Sequence, residues 1–252
     1  MLIDRPRIWL ALMLRDIRSR RGRAAESFLL TLVEPAGQLA LVYFVFLALR
    51  REPDFGNSLL LFLTTGVLPY FLFTHVVSRI MAASRVGLPM LPLGALSIVD
   101  VAIAQVILET LVIIIVGTVL LGGMYLGGID SAAPAEPLQL LMAVATITCA
   151  AFGLGLFNLA MQSFLSTYRL IWTLIARSLL FFSSVFFVVD NLVPWLREVL
   201  SWNPLLHGVV WFRLGLFRGY PTEILNVSYF VGFALLINAL GLSAEALMRR
   251  RA

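Results

Sequence analysis

Long apolar runs, separated by short polar or proline-bearing stretches, set the pattern of this chain. Six of them, about 28–49, 59–82, 98–122, 138–164, 171–190 and 222–246, are long enough to cross some 30 Å of hydrocarbon as helices rising 1.5 Å per residue. Ahead of them, residues 7–23 place Leu10, Met13, Leu14 and Ile17 at helical spacing, opposite Arg15, Arg18, Arg20 and Arg21. That pattern predicts an amphipathic helix lying in the membrane interface. The stretch 191–221 behaves differently. Its best apolar run, 205–217, is too short to span and contains Arg213, while Pro194, Pro204 and Pro221 divide it and Trp195, Trp202 and Trp211 suit a headgroup-level belt. Two short helices dipping in from the outer side are expected there.

Composition supports lipid as the solvent. Of 252 residues, 60% are hydrophobic and 13% charged, against 45–50% and about 25% in soluble domains. The expected fold is therefore one all-α membrane bundle over 1–252, with 1–27 as a cytoplasmic interfacial helix. All 19 basic residues are arginine. With the N-terminus in the cytoplasm, 14 arginines fall inside, while Arg50, Arg51, Arg197, Arg213 and Arg218 fall outside, so both termini are placed in the cytoplasm. Arginines at the ends of apolar segments orient a membrane protein, which argues against nucleic-acid binding. Cys149 is the single cysteine, so no intrachain disulfide forms. The inner connection 83–97 carries Pro89 and Pro92, which exclude one continuous helix and leave a short kinked element able to meet a cytoplasmic partner.

Catalytic chemistry is not indicated. A Walker A loop needs a lysine on the β/γ-phosphates, and this chain has no lysine. His75 and His207 are too few for a usual zinc site. Polar groups inside the spans are the positive signal. Thr31, Glu34 and Gln38 share one face of the first span, Gln105 and Glu109 one face of the third, Asn158 and Gln162 the fourth, and Thr173, Arg177 and Ser184 the fifth. Glu109 is the deepest ionisable group, and Glu34 and Arg177 are placed to pair. Such groups line a hydrated path or join helices to one another, and the pattern leaves both readings open.

The order of an Arg-rich amphipathic N-terminus, a first span with Leu32-Val33-Glu34-Pro35, a proline-bearing inner loop and the late segment NPLLHGVVWFRLGLFRGYP resembles one family. It is similar to the permease subunit of ATP-binding-cassette polysaccharide exporters, in their capsular polysaccharide branch. Glu34-Pro35 matches that family's opening motif, and Asn203-Pro204 with Arg213 and Phe217 its late amphipathic segment. The resemblance implies a homodimer in the bacterial inner membrane, joined by two copies of a separate ATPase that binds ATP and magnesium. It implies a lipid-linked polysaccharide as cargo, with periplasmic and outer-membrane components beyond. In that picture Arg15, Arg18, Arg85, Pro89 and Pro92 serve ATPase coupling. Glu34, Gln38, Tyr70, Phe71, Glu109, Asn158, Gln162, Arg177, Trp195 and Trp202 are the candidate path residues, the aromatics offering flat faces to sugar rings. Permeases for O-antigen, teichoic acid or small lipophilic cargo share nearly every feature. A secondary carrier would show interrupted helices in two related halves, and a membrane enzyme would show clustered catalytic groups.

Overall fold

The computed structural model describes residues 9–10, 12–14, 24–87, 97–165 and 167–249, with the backbone alone at 24–35 and 83–87. Among the described residues from Ala24 onward the fold is carried by eight helices: α1 Ala24–Ala48, α2 Leu59–Gly87, α3 Ile98–Leu126, α4 Pro137–Phe164, α5 Tyr168–Phe182, α6 Pro194–Ser201, α7 Pro204–Leu216 and α8 Val227–Arg249. Single 3-10 turns at Asp130–Ala132 and Val189–Asn191 punctuate the connections, and no strand occurs among the described residues. α3, α4, α8 and the Leu59–Ala82 part of α2 are long and apolar enough to cross a membrane.

α2 is the central post. Every side chain from 61 to 74 is buried, as are Val76, Val77, Ile80 and Met81. α4 packs against it on one side and against α8 on the other. The α4–α8 contact depends on small residues. A Cβ on Gly153 would meet the Asn238 backbone, and one on Gly241 would meet the Gly153 carbonyl. In lipid, where apolar surface gives no drive to associate, such close backbone approach supplies the packing. Asn238 adds a polar tie, its Nδ2 donating to the Cys149 carbonyl at 2.8 Å.

α7 is a short helix buried among α2, α4 and α8. Its C-terminal end meets the α3–α4 connection, where Glu136 N–H donates to the Gly215 carbonyl at 2.9 Å and Trp211 Nε1 to Gln139 Oε1 at 2.8 Å. The α1–α2 connection reaches the same end: Asp54 Oδ2 accepts from Val188 N–H at 3.2 Å, and Phe55 packs edge-on against Phe217 and Tyr220. At the opposite end Trp9 Nε1 donates to Asp100 Oδ1 at 3.1 Å, and Arg249 Nη2 to Ser97 Oγ at 3.1 Å. The N-terminal segment, the start of α3 and the end of α8 therefore meet at one end of the bundle. Ser97 caps α3 there, in a reciprocal capping box with Asp100.

Two expected spans need correction. The fifth was read over 171–190, but α5 stops at Phe182 after 15 residues. The apolar run continues through 183–188 without helix, and Ser184 there adopts a left-handed backbone with φ of 61°. The last span starts at Val227 rather than 222, and the two short helices expected before it are α6 and α7. Of the N-terminal amphipathic segment, Trp9, Leu10 and Leu12–Leu14 are helical. Its remaining residues, including Arg15 and Arg18, lie outside the described residues, as do Pro89 and Pro92 and the side chain of Arg85.

Candidate functional site

The break after α5 leaves backbone carbonyls inside the protein, and α7 provides for them from both of its ends. At its start Asn203 is the N-cap, its Oδ1 accepting from Leu205 N–H at 3.1 Å, and Pro204 occupies the first turn where no N–H is needed. The other half of the same amide donates to the Phe182 carbonyl at 3.0 Å and to Ser183 Oγ at 2.9 Å. One side chain thus starts α7 and closes α5.

At the far end of α7 stands Arg213, fully buried. Its Nη1 donates to the carbonyls of Ser184 (2.7 Å) and Phe187 (3.3 Å) and to Tyr220 Oη (3.1 Å). Its Nη2 donates to the carbonyls of Val185 (2.8 Å) and Phe62 (3.2 Å), and Nε to Thr65 Oγ1 (3.3 Å). The guanidinium lies 4.0 Å from the centre of the Phe62 ring. No carboxylate among the described residues pairs with it. Its charge is held instead by carbonyl dipoles and an aromatic face, and its forked donors match a cluster of orphan acceptors. Unsatisfied backbone groups away from water cost several kcal/mol each, so irregular chain at this depth exists only where protein supplies partners. Gly66 permits the approach, since a Cβ there would strike the Val185 carbonyl and the Arg213 guanidinium.

α6 and the start of α7 carry two further ties. His207 is buried, its Nε2 donating to the Ser201 carbonyl at 2.8 Å while Nδ1 accepts from Asn226 N–H at 3.3 Å. Both contacts hold together only in a neutral ring, and burial pushes the imidazole below its ordinary pKa against the opposing Ser201 hydrogen bond. Arg197 on α6 reaches Glu223 at 2.7 Å and Asp190 at 3.9 Å. Burial raises the Asp190 carboxyl above the usual range, with Arg197 pulling the other way. Trp195 and Trp202 stand 67% and 75% exposed beside this network.

A polar face runs along α2 toward the opposite end. Between Leu61 and Ala82 the positions not buried are His75, Ser78, Arg79 and Ala82, which form one stripe at helical spacing. α5 borders it: Trp172 Nε1 donates to Ser78 Oγ at 3.5 Å, and Tyr70 Oη donates to the Ala176 carbonyl at 3.0 Å. On α5, Arg169, Thr173 and Arg177 are exposed on the flank next to its packed residues Tyr168, Trp172 and Ala176. On the other side of the stripe, Arg79 Nε meets Glu109 Oε1 at 2.9 Å.

The sequence-derived path residues therefore disperse. Glu109 is fully buried and holds α3 to α2 through Arg79. Asn158 is buried, its Oδ1 accepting from Tyr168 Oη at 2.8 Å, and Gln162 donates to the Met81 carbonyl at 3.5 Å, so both serve the seams of α4 with α5 and α2. Tyr70 and Phe71 are 7% and 4% exposed, and their faces are spent on packing. Gln38 is half-buried on α1, Arg177 is exposed, and the Glu34 side chain lies outside the described residues. Arg213, Asn203 and the Ser78–Arg79 stripe were not among the candidates. An arginine set between Phe212 and Leu214 in an apolar run was the available signal for the first of these. An open, mostly apolar cleft of about 410 Å³ between α2, α3 and α4 has two hydroxyl-bearing residues in its lining, Tyr125 and Thr118, the latter already donating to the Ile114 carbonyl.

The ABC-2 type transporter family profile matches residues 8–217, most of the chain and all of its helices through α7. The chain belongs to this family. It is 27% identical over 235 residues to the polysialic acid transport protein KpsM of Escherichia coli, covering 92% of this chain and 90% of that protein. It is 26% identical to the capsule polysaccharide export inner-membrane protein BexB of Haemophilus influenzae (92% and 87% covered). It is 27% identical to the capsule polysaccharide export inner-membrane protein CtrC of Neisseria meningitidis serogroup B (92% and 88% covered). Within this ABC-2 chain, the late segment that resembled the exporter permeases is the one that folds into α7 and carries the Arg213 knot.

Proposed function

We propose that this chain is the membrane permease of an ATP-driven exporter that moves a capsular or related cell-surface polysaccharide out across the bacterial inner membrane. The observation that carries the reading is the near full-length likeness to capsule-export inner-membrane proteins. The subunit is non-catalytic. ATP and magnesium are bound by two copies of a separate ATPase, which meets a homodimer of this chain at 7–23 and 83–97, and components in the periplasm and outer membrane receive the lipid-linked glycan.

The reading takes six crossings with both termini in the cytoplasm, of which α2, α3, α4 and α8 are long and apolar enough to span by themselves. α5 rises about 22 Å at 1.5 Å per residue, and the bent stretch 183–188 carries the chain on from its end, folded around the Arg213 guanidinium. Asn203 and Arg213 satisfy the carbonyls that this irregular crossing exposes. α6 and α7 then form the outer exit, held by Arg197, His207 and Arg213.

Co-purification tests the reading. An ATPase should copurify with the chain, and lipid-linked acidic or neutral capsular glycan should stimulate its turnover. Specific ATP hydrolysis by the purified chain alone would overturn it. A partner ATPase bearing a glycan-binding extension would move the cargo to the O-antigen class.

A further inference from the structure

We infer that the cleft between α2, α3 and α4 is a binding site for one acyl chain of a bilayer phospholipid, held as a fixed part of the bundle. The inference draws nothing from the export reading above.

Glycine opens the cleft. α3 and α4 each pack along α2 and meet one another less. On the α3 side the lining positions Ile113, Gly117, Leu121 and Tyr125 follow four residues apart, with Gly122 beside them. A Cβ on Gly117 would rest against Leu68 at 3.4 Å, and one on Gly122 would meet nothing within 4 Å. The space that larger side chains would fill remains open, about 410 Å³ of it. Leu68, Leu72, Ile113 and Phe212 make a buried floor, while Ile114, Leu141 and Tyr125 stand exposed at the rim.

Lining, surroundings and size select the occupant. Water needs two or more polar partners, and the side chains here offer the Tyr125 hydroxyl at the rim and a Thr118 hydroxyl already donating to the Ile114 carbonyl. Left empty, the floor would forfeit its dispersion contacts on one side. The cleft also runs without a break into apolar helix faces. Residues 111–123 of α3 and 138–148 of α4 include no ionisable side chain, and Leu111, Ile115, Val119, Leu138 and Met142 are exposed. Both helices are long and apolar enough to cross a membrane, so this surface is one that hydrocarbon wets. From Ile113 to Tyr125 the wall runs about 18 Å at 1.5 Å per residue, close to the depth of one leaflet of a 30 Å hydrocarbon layer. Tyrosine stands at its end, where a headgroup-level ring belongs. A polymethylene chain of that length, about 4–5 Å wide at van der Waals contact, occupies about 300 Å³. A helix of the same length, about 10 Å wide, would need about 1,400 Å³. The cleft therefore fits one acyl chain and not a helix from a second copy.

The test places the full chain in phosphatidylcholine nanodiscs containing a phosphatidylcholine with a photoreactive diazirine at the end of one acyl chain, and maps the labelled residues by mass spectrometry. Leu72, Ile113 and Val144, at the deep end of the cleft, should take about tenfold more label than Ile115 and Leu236 on the outer faces. Gly122→Leu puts a side chain into the cleft and should abolish that excess while leaving the label at Ile115 unchanged. Gly123→Leu, one residue on and outside the lining, brings the same gain in helix propensity and should change neither. In lipid-free detergent, added phosphatidylcholine should raise the melting temperature of wild type and of Gly123→Leu, but not of Gly122→Leu, whose own side chain takes the space. Equal label at cleft and outer positions overturns the inference, and this ratio in wild type decides even if Gly122→Leu fails to fold. An excess that survives in folded Gly122→Leu overturns it too. So does an excess that appears only after lipid-linked glycan is added, which would assign the cleft to the cargo's anchor. Linkage of two copies through Val144→Cys in a Cys149→Ala background by a short bismaleimide would assign it to a subunit contact. The permease reading is judged by ATPase copurification and stands or falls separately.

Discussion

At the scale of single residues, the buried charges divide by what neutralises them. Arg213 is held by acceptors, so its removal exposes them all together. Arg213→Met keeps the volume and abolishes the donors, and should cost on the order of 3–5 kcal/mol, read as a large drop in melting temperature of the detergent-solubilised chain. Arg213→Lys, with three donors and no fork, should recover only part. Glu109 and Arg79 hold each other, so Glu109→Gln leaves Arg79 without its ion pair at depth. Because Arg79 is 38% exposed, the loss should be nearer 2 kcal/mol, and Arg79→Gln added to Glu109→Gln should cost less than the sum of the two. Additive losses would show that the pair does not couple the helices. His207 contributes through its neutral ring. Its folded pKa is lowered, so its contribution is complete above the unfolded value of about 6.5 and is lost as pH falls toward the folded value. Wild type should therefore lose stability between pH 7.5 and 5.5 by more than His207→Asn does. Of these residues, Glu109 was legible as a deep carboxylate in an apolar run. Its partner was not, since Arg79 sits 30 positions away and reads locally as a flank charge.

Helices α5 and α7 define the element scale, and neither is complete without the other. The amide of Asn203 caps α7 and ties Phe182 and Ser183, so Asn203→Ala removes a cap worth about 1 kcal/mol and orphans a carbonyl at the α5 end. Asn203→Asp keeps the cap but loses the donor, so it should recover only the α7 share of the loss. The left-handed Ser184 makes a second check: Ser184→Gly should be tolerated, whereas Ser184→Val should destabilise because a β-branched residue resists that conformation. Spans over 59–82, 98–122 and 138–164 were readable because apolar length alone specifies a crossing helix in lipid. The end of α5 was not, because 183–188 is as apolar as the helix before it. What stops the helix is tertiary: an arginine some 30 residues later offers those carbonyls partners, and hydropathy along the chain carries no trace of that. The prolines before α6 and α7 did mark both starts, because proline in a first turn is a local signal.

The whole molecule is arranged by its two ends. One gathers the connections 49–58 and 127–136 with the region 183–226; the other joins Trp9, the start of α3 and the end of α8. Arg249 lies at the second end, where Trp9 of the N-terminal segment also sits. Positive charge near short loops is retained in the cytoplasm, so that end should face inward. Single cysteines in a Cys149→Ala background make the expectation measurable in intact cells with the outer membrane permeabilised. Cysteines replacing Gly128 and Arg197 should react with a membrane-impermeant maleimide, because both positions lie at the end that carries α6 and the exit. Cysteines replacing Arg85 and Arg250 should react only after the inner membrane is opened. The pair Arg197 and Arg250 is the decisive one, for α8 is the one helix between them long and apolar enough to cross. If both label from outside, the crossing number is odd, because α8 does not cross or because α7 crosses as well. If only Arg197 labels, α8 crosses and the chain before Arg197 has already reached the outer side, so the carbonyls gathered by Arg213 lie on the route of a crossing segment, which is the setting in which a fully buried arginine without a carboxylate among the described residues has a physical reason to exist.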